Sequence, residues 1–223
     1  MARLRRWLDT PFAIQLRSVL AMIEVRIEAL RDAIIDRWYG FDFGGLIKAD
    51  ALVSTHIAAL QQVTAYEAVT GLQLRIIVSE ALRTGIGFSH FVDIGAGKGR
   101  ACLYVAREFR FPAVVGVEMS SPLVDIARAN AAKARTANVQ FVIADATQYD
   151  LPAGDNLVFL FNPFEDAAMD GFLTHNLDHF RTTKSVIAYA NDRHRAVLHR
   201  FGFETLYRNQ VLKLSLFRMP KPA

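Results

Sequence analysis

The sequence predicts an α/β fold: a doubly wound, mostly parallel seven-stranded sheet with a C-terminal antiparallel hairpin and an N-terminal helical extension. Three features point there. From Phe88 onward, apolar segments of strand length alternate with segments of helical period, the order that right-handed crossovers turn into a parallel sheet. Segments such as "NLVFLF" are apolar without a break, as strands covered on both faces are. The last two segments, "FETLYR" and "VLKLSLFRM", are separated by too few residues for a crossover, so they pair as an antiparallel hairpin at one edge.

The first helical pattern spans residues 12–38. Leu16, Leu20, Ile23, Ile27, Leu30 and Ile34 recur there at alternating steps of four and three, which makes one apolar seam. The seam is expected to dock on the helix's own domain. Dimerisation through it is the next reading, and membrane-surface binding is third, because acidic residues are mixed with the basic ones. "GFDFGG" (Gly40–Gly45) ends this element, and a second helix is expected around residues 49–62. Thr70 and Gln73 form a capping-box pair that starts a helix at Gly71 and lets it stop near Thr84–Gly85. Strands are expected at 90–95, 113–118, 138–144, 156–161 and 184–190, with helices at 99–110, 121–135, 166–181 and 192–201. This divides the chain into an extension over 1–62 and a ligand-binding domain over 63–223.

Composition narrows the class. With 52% apolar and 22% charged residues, the chain fills a core and is not disordered. The formal charge of +4 suits an acidic partner but is within the range of ordinary enzymes. A lone cysteine, Cys102, excludes an internal disulfide and points to a reducing, cytoplasmic setting. It falls at a helical position where small buried residues pack, so a catalytic thiol is not expected. Asp9, Arg17 and Glu24 interrupt any signal-peptide core. No stretch approaches the roughly 20 apolar residues of a membrane span, so a soluble protein is expected.

The chemistry concentrates in "FVDIGAGKGR". Glycines stand at Gly95, Gly97 and Gly99, with Ala96 and Lys98 between them, and Arg100 occupies the place where a dinucleotide fingerprint has its third glycine. Asp93, at the tip of the first strand, would repel a pyrophosphate on the following helix N-terminus and attract an ammonium group. S-adenosylmethionine has that ammonium and no phosphate, and its carboxylate is expected to meet the glycine N–H groups. Glu118 closes the second strand, 23 residues after Gly95, where a carboxylate can accept from both ribose hydroxyls, as it also does in NAD enzymes. Asp145 ends the third strand and can accept from an adenine amino group, while the Ala146 N–H donates to the ring. Singly, such residues are turn or cap residues. Three acids on successive strand ends behind a glycine turn are a nucleoside site.

With these residues in place the chain resembles the class I S-adenosylmethionine-dependent methyltransferases. "VDIGAGKG" matches their glycine motif, "VVGVE" their ribose acid, "IADA" their adenine segment and "FLFNPF" their fourth motif, over roughly residues 65–219. The resemblance implies a Rossmann-like methyltransferase fold. "YEAVTG" is similar to a segment of the non-SET lysine methyltransferases, which implies cofactor contacts by Tyr66 and Thr70; a packing residue and a helix cap are the other readings. Asn162-Pro163-Phe164 resembles the Asn/Asp-Pro-Pro-aromatic motif of enzymes that methylate amino groups, with one proline in place of two. The resemblance implies that Asn162 orients an acceptor nitrogen and that Phe164 packs on it. No base is evident, since Glu165 and Asp166 read as the acidic opening of the next helix. His175 and His179 could ligate a metal at their spacing of four, but a solvated helix face is preferred and no metal is assigned.

The expectation is therefore a cytoplasmic S-adenosylmethionine-dependent methyltransferase acting on a nitrogen of a protein side chain or other amine. A small molecule and RNA or DNA are further acceptors, and a protein or small-molecule amine is favoured over nucleic acid. An NAD(P)-dependent oxidoreductase is the rival, and a cofactor-binding protein without catalysis the third reading. No membrane partner is expected, and a homodimer through the N-terminal helix is the remaining partner.

Overall fold

The computed structural model describes residues 11–43, 69–161 and 165–221. The helix expected around 49–62, Tyr66 and the Asn162-Pro163-Phe164 segment lie outside the described residues. Helix α1 spans Pro11–Tyr39 and α2 spans Gly71–Leu82. The repeating part runs β1 (His90–Ile94), α3 (Arg100–Glu108), β2 (Ala113–Glu118), α4 (Ser121–Ala134), β3 (Val139–Ile143) and β4 (Asn156–Phe161). It continues through α5 (Asp166–His175), α6 (Leu177–Thr182), β5 (Val186–Ala190), α7 (Arg195–Arg200), β6 (Glu204–Asn209) and β7 (Leu214–Arg218).

The strands form one sheet in the order β3-β2-β1-β4-β5-β7-β6. The first five pair in parallel, and β7 runs antiparallel to both β5 and β6. Strand order reverses between β1 and β4, so the carboxyl ends of these two strands flank the crevice where open α/β sheets hold ligands. Alternation along each strand divides the core. Phe91, Val114, Leu157 and Phe159 pack under α2, α3 and α4 with Leu74, Ile77 and Val105. Val92, Ile94, Val158 and Leu160 pack on the other face with Met169, Phe172 and Leu198. The capping box forms as expected: Thr70 Oγ1 accepts from the Gln73 N–H and Gln73 Oε1 accepts from the Thr70 N–H at 3.2 Å.

Two expectations are corrected. The helix expected over 166–181 breaks at Asn176, whose buried amide serves the preceding loop instead of solvent. Its Oδ1 accepts from the Leu151 N–H at 3.0 Å and its Nδ2 donates to Tyr149 O at 3.1 Å. A side chain that bonds backbone in this way competes with the helical ladder. His175 and His179 consequently sit on different helices. His175 bonds Asp150 at 2.8 Å, while half-buried His179 meets Ser185 at 2.9 Å and Asn156 at 3.2 Å, so it is not on a solvated face. Among the described residues no cluster of metal-ligating side chains occurs, and no helix is long and apolar enough to cross a membrane.

The second correction concerns α1, whose apolar seam does not dock on its own domain. Leu20, Ile23, Ile27, Leu30 and Ile34 are exposed, and the opposite, charged face makes the contact. Glu28 meets Arg75 at 3.1 Å, Asp32 Oδ2 accepts from the Gly71 N–H at 2.9 Å, and Asp36 pairs with Arg100. These charges line a polar cavity of about 260 Å³ between α1, α2 and α3, away from Asp93 and Glu118. Most of them pair with one another, although the buried Arg100 Nε has no hydrogen-bond partner among the described residues.

Candidate functional site

Asp93 lies one residue from the end of β1 and is 3% exposed. It accepts a weak hydrogen bond from Cys102 Sγ on α3 at 3.5 Å, and among the described residues it has no salt-bridge partner. Burial, opposed slightly by the thiol and reinforced by the charge of Glu118, pushes its carboxyl up to about 7. A buried carboxylate without a counterion is costly for the free protein and is an attractive seat for a ligand cation. Cys102 is fully buried with its thiol pushed well up, so it is a neutral donor and not a nucleophile.

The glycine turn is folded back on the sheet. The Gly95 and Ala96 N–H groups both donate to Val117 O, at 2.8 and 3.0 Å, and the Gly97 N–H donates to Glu118 Oε2 at 3.0 Å. The Gly99 N–H donates to Ala96 O at 2.9 Å. These donors, expected to receive a ligand carboxylate, are taken within the protein, because the turn must satisfy its own backbone where it leaves β1. Gly99 is required for packing: its φ is +85° and an added Cβ would stand 2.5 Å from the Phe141 ring.

Glu118 is buried at the end of β2. Oε1 accepts from the Ser120 N–H at 2.9 Å while Oε2 holds Gly97. Burial raises its carboxyl and these N–H groups oppose the rise. Each oxygen keeps a second lone pair, so the carboxylate can bind two hydroxyls while bracing the turn. Replacing Glu118 with Ala should therefore cost twice: about 1.5–3 kcal/mol of nucleoside affinity, and a similar loss of stability from the two orphaned N–H groups. Calorimetry on the folded variant, with a denaturant melt beside it, separates the two; unchanged affinity would remove Glu118 from the site. Asp145 lies two residues past β3 and caps a 3-10 turn over Ala146–Gln148, with Oδ1 accepting from Thr147 N and Oγ1, both at 2.9 Å. Its other oxygen has no hydrogen-bond partner among the described residues, so the cap and a ligand contact are compatible.

Several residues near the turn escaped the sequence reading. Arg100, noted there only as a missing glycine, points away from the crevice, with Nη2 on Asp36, Nη1 3.5 Å from Asp32 and the guanidinium 4.7 Å over the Phe43 ring. Asn130 of α4 ties the segment after α1 to the turn: it accepts from the Asp42 N–H at 3.0 Å and donates to Asp42 O and Lys98 O. Lys98 Nζ reaches Asp42 at 2.6 Å. The segment from Gly40 to Phe43 is thus a strap on the glycine turn as well as a stop signal. On the other side of the crevice His194 bonds Asp166, the first residue of α5, so the rim beyond β4 carries an imidazole. Their separation of 28 residues left no spacing signal for that pair.

A doubly wound sheet with this strand order, a glycine turn and acids at the tips of β1 and β2 is the arrangement in which open α/β sheets can hold a nucleoside. Residues 91–196 match the family model described as a methyltransferase domain. Two solved structures share the fold. The ribosomal protein L11 methylase from Lactobacillus delbrueckii subsp. bulgaricus is 10% identical with a TM-score of 0.50, over 67% of this chain and 80% of that one. TrmN from Thermus thermophilus is 16% identical with a TM-score of 0.52, over 67% and 48%. At such identities the likeness concerns the fold alone. No curated protein matches the sequence.

Proposed function

We propose that this chain transfers a methyl group from S-adenosylmethionine to a nitrogen of a protein side chain or other amine. The observation that carries the cofactor assignment is Asp93, a buried carboxylate at the crevice with no cation paired to it among the described residues. The residues fit the group: Asp93 suits its ammonium, Glu118 its ribose hydroxyls, and Asp145 with Ala146 its adenine edge. A pyrophosphate would instead face two buried acids. Gly95, Ala96, Gly97 and Gly99 shape the turn that brings these groups together. Tyr66 and Thr70 close the methionine end, by the resemblance of "YEAVTG".

The cofactor supplies an electrophilic methyl group on a sulfonium whose leaving group is neutral. What remains for the chain is alignment, which can contribute up to roughly 7–11 kcal/mol. Asn162 follows β4 directly and accepts a hydrogen bond from the acceptor amine, orienting its lone pair. Pro163 is the single proline of the motif, and Phe164 excludes water or stacks on the acceptor. An amine acceptor rests on this motif, and a protein or small-molecule amine is preferred to nucleic acid because the surplus charge is only +4.

A thermal-shift panel with S-adenosylmethionine, S-adenosylhomocysteine, NAD and NADP tests the cofactor without an acceptor. A ligand at 100 times its dissociation constant adds about 2.7 kcal/mol, so the two sulfur nucleosides should raise the melting temperature and the dinucleotides should not. A shift with NAD alone would overturn the assignment.

A further inference from the structure

Helix α1 turns its charged side inward and its apolar side outward. Glu28, Asp32 and Asp36 recur every four residues and hold Arg75, the Gly71 N–H and Arg100. On the other side Leu20, Ile23, Ile27, Leu30 and Ile34 are between 47% and 67% exposed. A surface helix ordinarily buries such a stripe, and a contiguous exposed apolar patch marks an interaction site. The steps of three and four average 3.5 residues, the period of a seam that a second helix follows in a left-handed supercoil.

We propose that this stripe is a homodimer interface, in which α1 of two copies pairs as a short antiparallel coiled coil. Charge decides both the occupant and the register. With Ile27 opposite the partner's Leu30 and Ile23 opposite the partner's Ile34, the flanking Glu24 lies beside the partner's Arg31. Two-fold symmetry repeats that pair, as a self-complementary interface requires. Arg26 then meets only the partner's Ala33. Sliding the helices by one heptad sets Glu24 against the partner's Glu24 and Arg26 against the partner's Arg26. A parallel pair sets Arg26 beside the partner's Arg31, so it too is opposed by like charges. Arg31 is available to turn outward: its side chain is 66% exposed and its contact with Glu28 is 3.5 Å long, whereas Glu28 is closer to Arg75. An anionic lipid surface suits the stripe less well, because Glu24 borders it.

The test is sedimentation of the full chain from about 1 to about 100 µM, with melts by circular dichroism to confirm that each variant is folded. The wild type should associate to a dimer in this range. Ile27→Glu should weaken association more than about a hundredfold, by placing charge in the central layer. Arg31→Glu should weaken it about tenfold, and the added change Glu24→Arg should restore it by recreating both pairs with reversed sign. A wild type that stays monomeric at the highest concentration would overturn the proposal. So would a dimer indifferent to Ile27→Glu, a monomer that floats with anionic vesicles, or tighter association of Arg31→Glu, which is the signature of a parallel pair.

Discussion

Asp93→Asn is expected to abolish most of the affinity for S-adenosylmethionine while making the free protein more stable at pH 8. Both effects come from one group. In the folded chain the Asp93 carboxyl rises from an ordinary 3.8 to about 7. A group whose folded value lies above its unfolded value favours the folded state when protonated. That contribution is complete below about pH 4 and is lost as pH climbs toward 7. The full rise corresponds to about 4 kcal/mol, so an amide that never ionises should recover about 2–4 kcal/mol at pH 8 and nothing at pH 4. Binding has the opposite sign, because an ammonium pairs only with the ionised carboxyl. Wild-type affinity should rise about tenfold per pH unit below 7 and level off above it, with a proton released on binding at the lower values. The variant should bind weakly and show no such slope. Calorimetry between pH 5.5 and 8.5, with urea melts of the free protein, measures both. An Asp93→Asn protein that binds as the wild type does, or is less stable at pH 8, would separate Asp93 from the cofactor.

The parts of this site that were legible beforehand share a cause. Strand ends follow from apolar run length, and a residue at a strand end stands at the carboxyl edge of a parallel sheet whatever its neighbours do. Asp93 and Glu118 could be placed in this way, and Asp145 missed its strand end by two residues only because the chain leaves β3 early for a 3-10 turn. Contacts between elements distant in sequence were not legible. The glycine N–H groups are engaged by Val117 and Glu118 of the neighbouring strand, a pairing that spacing along the chain does not encode. The histidine at the rim, His194, is defined by Asp166 on another element. Helix α1 was misread for the same reason. Periodicity located its apolar stripe correctly, but which side docks depends on Arg75 and Arg100, which lie far along the chain and give the acidic face its partners.

Arg100 unites these observations, since the residue that departs from the dinucleotide fingerprint is also the anchor of α1. A glycine there lets helix and strand approach closely around a pyrophosphate. Here the first residue of α3 sends a guanidinium outward to Asp36 and Asp32, and Asp32 in turn holds the Gly71 N–H at the start of α2. The glycine turn, the capped helix behind Thr70 and the extension are thereby joined through one side chain. Burial already pushes the Asp36 carboxyl up in spite of the guanidinium beside it, so the pair is tolerated more than it is stabilising in itself. Removing only the cation is another matter. Arg100→Met should destabilise the protein by about 3 kcal/mol at pH 8, because it leaves buried carboxylates uncompensated. The sign of the pH dependence follows. Without the cation the folded value of Asp36 rises further, so the missing stability returns as pH falls and the carboxyl protonates, and the deficit should shrink by pH 5. Asp36→Asn in the same chain should recover part of the loss at pH 8 by removing one of the unpaired charges. Urea melts of the three variants at the two pH values read this out. A deficit independent of pH, or one that Asp36→Asn deepens, would mean that Arg100 acts through its packing on Phe43 and not through its charge.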